Sequence, residues 1–143
     1  MKLLSIQILA GLLLLQASAR AEESPVDSVT ATEVYSQMRD GDVDLVLLDV
    51  RTPEEFAAGH VPSARNVPHD RVIDRPAELA EFRDREVVVY CRSGRRAAAA
   101  IEALRAAGVE RVRHLDGDMP GWEAAQLPVE TPPSAETSPA KPL

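Results

Sequence analysis

Val87-Val88-Val89-Tyr90-Cys91-Arg92-Ser93-Gly94-Arg95-Arg96, running on into Ala97-Ala98-Ala99-Ala100-Ile101, decides how the rest of the chain is read. The apolar β-branched run reads as a buried strand and the alanine-rich run as a helix, with only a few residues between them. The only cysteine of the chain stands at that junction. A thiol at the mouth of a helix N-terminus faces backbone N–H groups without intrahelical partners and the positive end of the helix dipole, and both favour thiolate over thiol. Arg92, Arg95 and Arg96 add positive charge, and Gly94 lets the backbone turn where a side chain would block it. The stretch therefore reads as a nucleophile, Cys91, in an anion-binding cradle formed by Arg92, Ser93, Gly94, Arg95 and Arg96. A cysteine closing a buried strand is also commonly a small core hydrophobe. Three arginines around a glycine turn add nothing to that role, because each charge needs solvent or a partner.

Outward from this stretch, the N-terminus supplies a compartment. Met1-Lys2 precedes an uncharged run from Leu3 to Leu15, followed by the small-residue sites Ala17-Ser18-Ala19 and Ala19-Arg20-Ala21. That is the pattern of a secretory signal peptide over 1–21, too short to span a bilayer as an anchor. The mature chain, beginning at Arg20 or Glu22, would hold roughly 120 residues, one domain with one core. Periplasmic export and no stable membrane association after cleavage are expected. One cysteine cannot form an internal disulfide, so an unpaired thiol retained in an oxidising compartment points to a task for it. The formal net charge of −7 argues against nucleic acid as a partner. Against that background the arginines beside Cys91 reverse the local sign, which favours a small anionic substrate.

The remaining chain reads as scaffold. Residues 22–28 form a polar arm. Thr30 caps a short helix with Glu33 closing a capping box and Gly41 ending it, and Thr52, Pro53 and Glu55 start a second helix that stops at Gly59. Leu45-Val46-Leu47-Leu48-Asp49-Val50 is a buried parallel strand ending in an acid. His60 to His69 reads as a loop with a short extended piece, Asp74 to Phe82 as a helix, and Val109 to Leu115 as a half-exposed or edge strand. Asp116 to Trp122 reads as a turn bearing an aromatic that packs on the core. The tail, 128–143, is rich in proline and reads as disordered. Strands alternating with helices imply an α/β sandwich with a mainly parallel sheet, whose ligands bind beyond the carboxyl ends of the strands, where Asp49 and Cys91 emerge.

Asp49-Val50-Arg51-Thr52-Pro53-Glu54-Glu55-Phe56, then Gly59-His60-Val61-Pro62-x-Ala64-x-Asn66-Val67-Pro68, then Cys91-Arg92-Ser93-Gly94-Arg95-Arg96 and the aspartate-glycine turn before Trp122, resemble a single-domain rhodanese over 29–127. With the leader, the chain is similar to the small periplasmic thiosulfate sulfurtransferases of the phage-shock type. The resemblance implies a three-layer rhodanese sandwich and a thiosulfate:cyanide sulfurtransferase without metal or organic cofactor. It also implies that Cys91 carries a persulfide, that the loop through Arg96 cradles it, and that Asp49 and Arg51 brace the loop. Two positions depart from the family. Asp118 stands where a second glycine is frequent, placing a negative charge toward the site mouth, and Ser63 stands where a glycine is frequent.

The residues read alone support the same ping-pong chemistry, from thiosulfate to Cys91 persulfide to cyanide or a thiol acceptor. Arg92 and Arg95 are the candidates for the sulfonate oxygens, whereas Arg96 either joins them or turns inward to pair with Asp49. His60, His69 and His114 lack metal-ligand spacing and read as loop or surface residues. A persulfide carrier that docks on a protein acceptor is the alternative. A cysteine phosphatase fits less well, since Arg96 lies one residue early for its Cys-x5-Arg loop.

Overall fold

The computed structural model describes residues 26–132. They run in the order β1 (Ser28–Val29), α1 (Ala31–Arg39), β2 (Leu45–Asp49), α2 (Pro53–Ala58), β3 (Arg65–Asn66), α3 (His69–Asp74), a 3-10 segment (Pro76–Phe82), β4 (Glu86–Tyr90), α4 (Arg95–Ala106), β5 (Val112–Leu115) and α5 (Asp118–Ala124). The five strands pair in parallel in the order β1-β5-β4-β2-β3. The expected α/β three-layer sandwich with a parallel central sheet is therefore the fold.

Side chains alternate across a strand, so the near-continuous apolar runs of β2 and β4 feed both faces at once. Leu48, Val87, Val89 and Cys91 join Phe82, Ala97, Ile101 and Leu104 in one core layer against α4 and the 3-10 segment. Leu47, Val88 and Tyr90 join Val34, Leu115, Met119 and Trp122 in the other, against α1 and α5. Trp122 is fully buried, meets Tyr35 edge-on at 6.1 Å and donates its indole N–H to the Pro128 carbonyl at 2.7 Å. Both expected capping boxes form, Thr30 with Glu33 and Thr52 with Glu55.

Four local readings are corrected. The Val109 to Leu115 strand is interior, because Ser28 and Val29, expected in or beside a loose arm, pair with His114 and Leu115 and take the edge. The helix expected from Asp74 is a 3-10 segment, and an unexpected helix, α3, lies before it. Pro76 has no N–H and bars its predecessor from helical geometry, so Arg75 sits at φ −133° and ψ 54° and splits the two. The turn at Asp116 continues into α5, where Pro120 is tolerated because it falls within the first turn. The tail starts later than expected. The Glu130 N–H donates to the His60 carbonyl and the His60 N–H to the Glu130 carbonyl, both at 2.9 Å, tying the chain after Pro128 to the domain. The rest of that tail, and the whole of the 1–21 leader, lie outside the described residues.

Ser63, one of the two departures from the family pattern, has a φ of 62°, the left-handed conformation that a side chain disfavours. Its side chain is exposed, and its backbone N–H donates to Glu130 Oε2 at 3.1 Å. Ser63→Gly should therefore raise the unfolding free energy by about 0.5–1 kcal/mol, relief of strain outweighing the added entropy of the unfolded chain. A urea titration of the two proteins measures this.

Candidate functional site

β4 and α4 are joined by only four residues, Cys91 to Gly94. Reversing direction in so short a span needs a left-handed residue, and Gly94 supplies it at φ 81°. A Cβ at that position would lie 3.3 Å from Asp118 Oδ2 and 3.4 Å from His114 Cε1, so a side chain would be strained by conformation and tight in space. The turn aims the Gly94 N–H at Cys91 Sγ, 3.1 Å away. Behind it begins α4, with unpaired N–H groups at its first turn. The thiol is buried at the floor of this loop.

The Cys91 peptide is held on both sides by the start of α5. Its N–H donates to Asp118 Oδ1 at 2.8 Å, and its carbonyl accepts the Met119 N–H at 3.1 Å. Asp118 is thus buried beneath the loop, with φ 54°, and does not stand at an open mouth as the sequence suggested. Its Oδ1 also meets His114 Nε2 at 3.0 Å. Burial pushes the Asp118 carboxyl upward, but the bonds from His114 and Cys91 prevail and leave it below its ordinary value. His114, read as a loop or surface residue, is half-buried on β5, and its bond to Asp118 raises it above the ordinary histidine value.

The arginines divide by role. Arg92 and Arg95 are exposed and form no ion pair or hydrogen bond among the described residues, so both can reach an arriving anion. Ser93 is exposed beside them. Arg96 pairs with neither Asp49 nor open solvent. Its two terminal nitrogens grip Glu55 in a fork, Nη1 to Oε2 at 2.7 Å and Nη2 to Oε1 at 2.9 Å. Glu55 also caps α2 by accepting the Thr52 N–H at 3.1 Å. The Arg96 guanidinium lowers the Glu55 carboxyl to about 2. The spacing of the capping box gave Glu55 a local explanation, and nothing in the sequence signalled its second bond, 41 residues away.

Asp49 and Arg51 pair with each other. Arg51 donates to both carboxylate oxygens of Asp49, the shortest bond 2.6 Å, and its Nη2 also donates to the Gly59 carbonyl at 2.8 Å. Neither touches residues 92–96. The pair lies against Tyr90, whose hydroxyl accepts the Val61 N–H at 3.1 Å and whose ionisation is pushed far upward by burial and by Asp49. The implied bracing of the loop is therefore indirect, through the residue before Cys91, and Glu55 is the carboxylate in direct contact with the loop's end. His60 is also buried, stacked on Phe56 at 3.6 Å, with no role at the thiol. His69 stands apart at the start of α3. No three His, Cys, Asp or Glu side chains cluster to hold a metal among the described residues.

The family description of the rhodanese-like domain matches residues 30–125. An HTH-type transcriptional regulator of Mycobacterium tuberculosis is 42% identical over 116 residues, which are 80% of this chain and 49% of that protein. A sulfurtransferase of Allochromatium vinosum is 38% identical over 101 residues, 71% of this chain and 92% of that protein. The crystal structure of the Alr3790 protein from Anabaena sp. superposes with a TM-score of 0.67 at 29% identity, over 73% of this chain and 82% of that one. An uncharacterized protein of Synechocystis sp. is 34% identical over 108 residues, so the chain spans 59% of that protein's length and 49% of the transcriptional regulator's.

The Glu55–Arg96 fork has a pH signature. Because the folded carboxyl lies near 2, below its ordinary value of 4.5, the stabilisation is complete above about pH 4.5 and lost as pH falls toward 2. Glu55→Gln should cost about 1–2 kcal/mol at pH 7, and the gap to the parent should narrow progressively below pH 4.5. Urea unfolding at several pH values between 2 and 7 measures it.

Proposed function

Because the chain belongs to the rhodanese-like domain family, where sulfur transfer is the activity of a named relative, we propose that it is a thiosulfate sulfurtransferase working through a Cys91 persulfide. The observation that carries this reading is the Gly94 N–H aimed at Cys91 Sγ at 3.1 Å, with Arg92 and Arg95 unpaired on the same loop. The Cys91 thiolate in that position, and after transfer the charged outer sulfur of the persulfide beside it, are met by a fixed donor and a helix N-terminus.

The chemistry balances with thiosulfate and cyanide alone. The Cys91 thiolate attacks the outer sulfur of thiosulfate, a new S–S bond forms, and the bond to the sulfonate sulfur breaks with its electron pair leaving on sulfite. The persulfide then holds a terminal sulfur that cyanide attacks, giving thiocyanate and returning the thiolate. Arg92 and Arg95 orient the sulfonate oxygens in the first step and stabilise the departing sulfite. Arg96 stays on Glu55 and holds the loop's end in place. Proton transfer is not needed in either half-reaction once Cys91 is ionised.

Residues 1–21 further suggest that the enzyme works after export to the periplasm. The mature mass would begin at Arg20 or Glu22.

Intact mass of the purified protein, before and after excess thiosulfate and then after cyanide, tests the cycle. Gain of one sulfur, its removal by cyanide, and no gain by Cys91→Ser are expected; a parent that gains no sulfur overturns the thiosulfate reading. If cyanide leaves the sulfur in place and a protein thiol removes it, the chain is a persulfide carrier instead. Arg92→Ala should raise KM for thiosulfate about tenfold while leaving stability within about 0.5 kcal/mol, since its side chain is exposed and unpaired. Steady-state kinetics and a melt measure the two effects.

A further inference from the structure

Asp118 is an unusual residue to find where it is. It bears a charge, is nearly fully buried, and adopts a left-handed backbone that a glycine would take without strain. Its Oδ1 accepts the Cys91 N–H at 2.8 Å, so a full negative charge is fixed one peptide unit from a sulfur that must itself become anionic and receive an anion. Left alone, that charge opposes both. The compensating group is His114, whose Nε2 meets the same oxygen at 3.0 Å and whose Cε1 packs toward Gly94 in the same loop.

We propose that His114 and Asp118 form a dyad beneath the Cys91 loop whose single proton sets the charge an anionic donor meets, with Asp118 a positioning residue for the Cys91 amide and His114 its neutralising partner. With His114 protonated, the dyad is neutral and the arginines govern the field. After His114 loses its proton, the dyad carries one negative charge against the floor of the site, and anions are admitted less readily than neutral reagents. The titratable and charged groups acting on the imidazole are Asp118 from α5 and Asp116 from the preceding turn, and both favour its protonated form. Those acting near the thiol are Asp118 and Arg96, of which the guanidinium keeps its charge throughout the neutral range. The dyad is thus the local element whose charge changes between the histidine value and mildly alkaline pH.

This rests on Cys91 as an acceptor of sulfur from an anion, but its test need not use thiosulfate. The chain has one cysteine, so intact mass reports alkylation of Cys91 alone. Iodoacetate is anionic and iodoacetamide neutral, and both require the thiolate, so the ratio of their rates cancels thiolate fraction and accessibility and leaves the field at the site. From pH 6 to 9 the ratio should fall about tenfold in the parent. In Asp118→Asn, whose amide oxygen still accepts the Cys91 N–H, it should remain at pH 9 near the parent's pH 6 value, its fall moved down to the lowered His114 midpoint. In His114→Gln it should stay low and flat, and the double variant should return to the high value. Dyads that only hold the fold would lower melting temperature without bending the ratio. A parent ratio independent of pH, or a ratio at pH 9 as low in Asp118→Asn as in the parent, overturns the proposal, as does a Cys91 that reacts with neither reagent. NMR titration of the His114 ring gives the second arm: a midpoint above the ordinary histidine value that drops in Asp118→Asn is expected, and a midpoint at or below that value overturns it. If the ratio behaves as expected while thiosulfate deposits no sulfur, the dyad stands and the choice of donor falls.

Discussion

The structure turns on a geometric constraint at the end of β4. A strand must leave the sheet, reverse and start a helix within four residues, and the backbone groups freed at that point must be satisfied out of reach of water. Gly94 meets the conformational demand. α5 meets the hydrogen-bond demand, its first residues taking the Cys91 N–H and supplying a donor to the Cys91 carbonyl. With the peptide clamped in this way, Sγ lies 3.1 Å from the Gly94 N–H, at the start of α4.

Much of the remaining polar architecture can be understood as support for that clamp. α2 contributes Glu55, which seizes Arg96 at the exit of the loop. The buried Asp49–Arg51 pair ties β2 to the Gly59 carbonyl and stands against Tyr90, the last residue before the thiol. Such a buried pair is weak evidence of stability gained, because desolvation offsets its attraction, but removing one partner strands a buried charge at a cost of roughly 3–5 kcal/mol. It therefore resists rearrangement, which is what a loop that must present fixed N–H donors requires. The three arginines of one short stretch thus divide, with Arg96 held by Glu55 and Arg92 and Arg95 exposed and unpaired among the described residues.

The departures from the family's glycines illustrate how one residue type can mean two things. Ser63 and Asp118 both occupy left-handed conformations. At Ser63 the side chain is exposed and offers no compensation beyond a backbone bond that glycine would keep. At Asp118 the strained backbone places a carboxylate bonded to both the Cys91 amide and His114, so the same conformational penalty is offset by two buried polar bonds.

Sequence by itself determined most of the elements and the loop that carries the single cysteine. Strand hydrophobicity, capping boxes at Thr30 and Thr52, the glycine turn and the single cysteine are local signals, each readable within a few residues because each arises from interactions between near neighbours in the chain. Local competition also explains the errors: Pro76 interrupts a helix that the apolar stripe alone would continue, and a two-residue strand at Ser28 is too short to show an alternating pattern. Only tertiary structure decided which charges meet. Arg96 had Asp49 as a reasonable partner and found Glu55; His114 had no assigned partner and found Asp118. Those choices depend on where parallel strands bring their carboxyl ends together, a consequence of packing two hydrophobic layers across one sheet, and the spacing of charged residues along the chain carries no record of it.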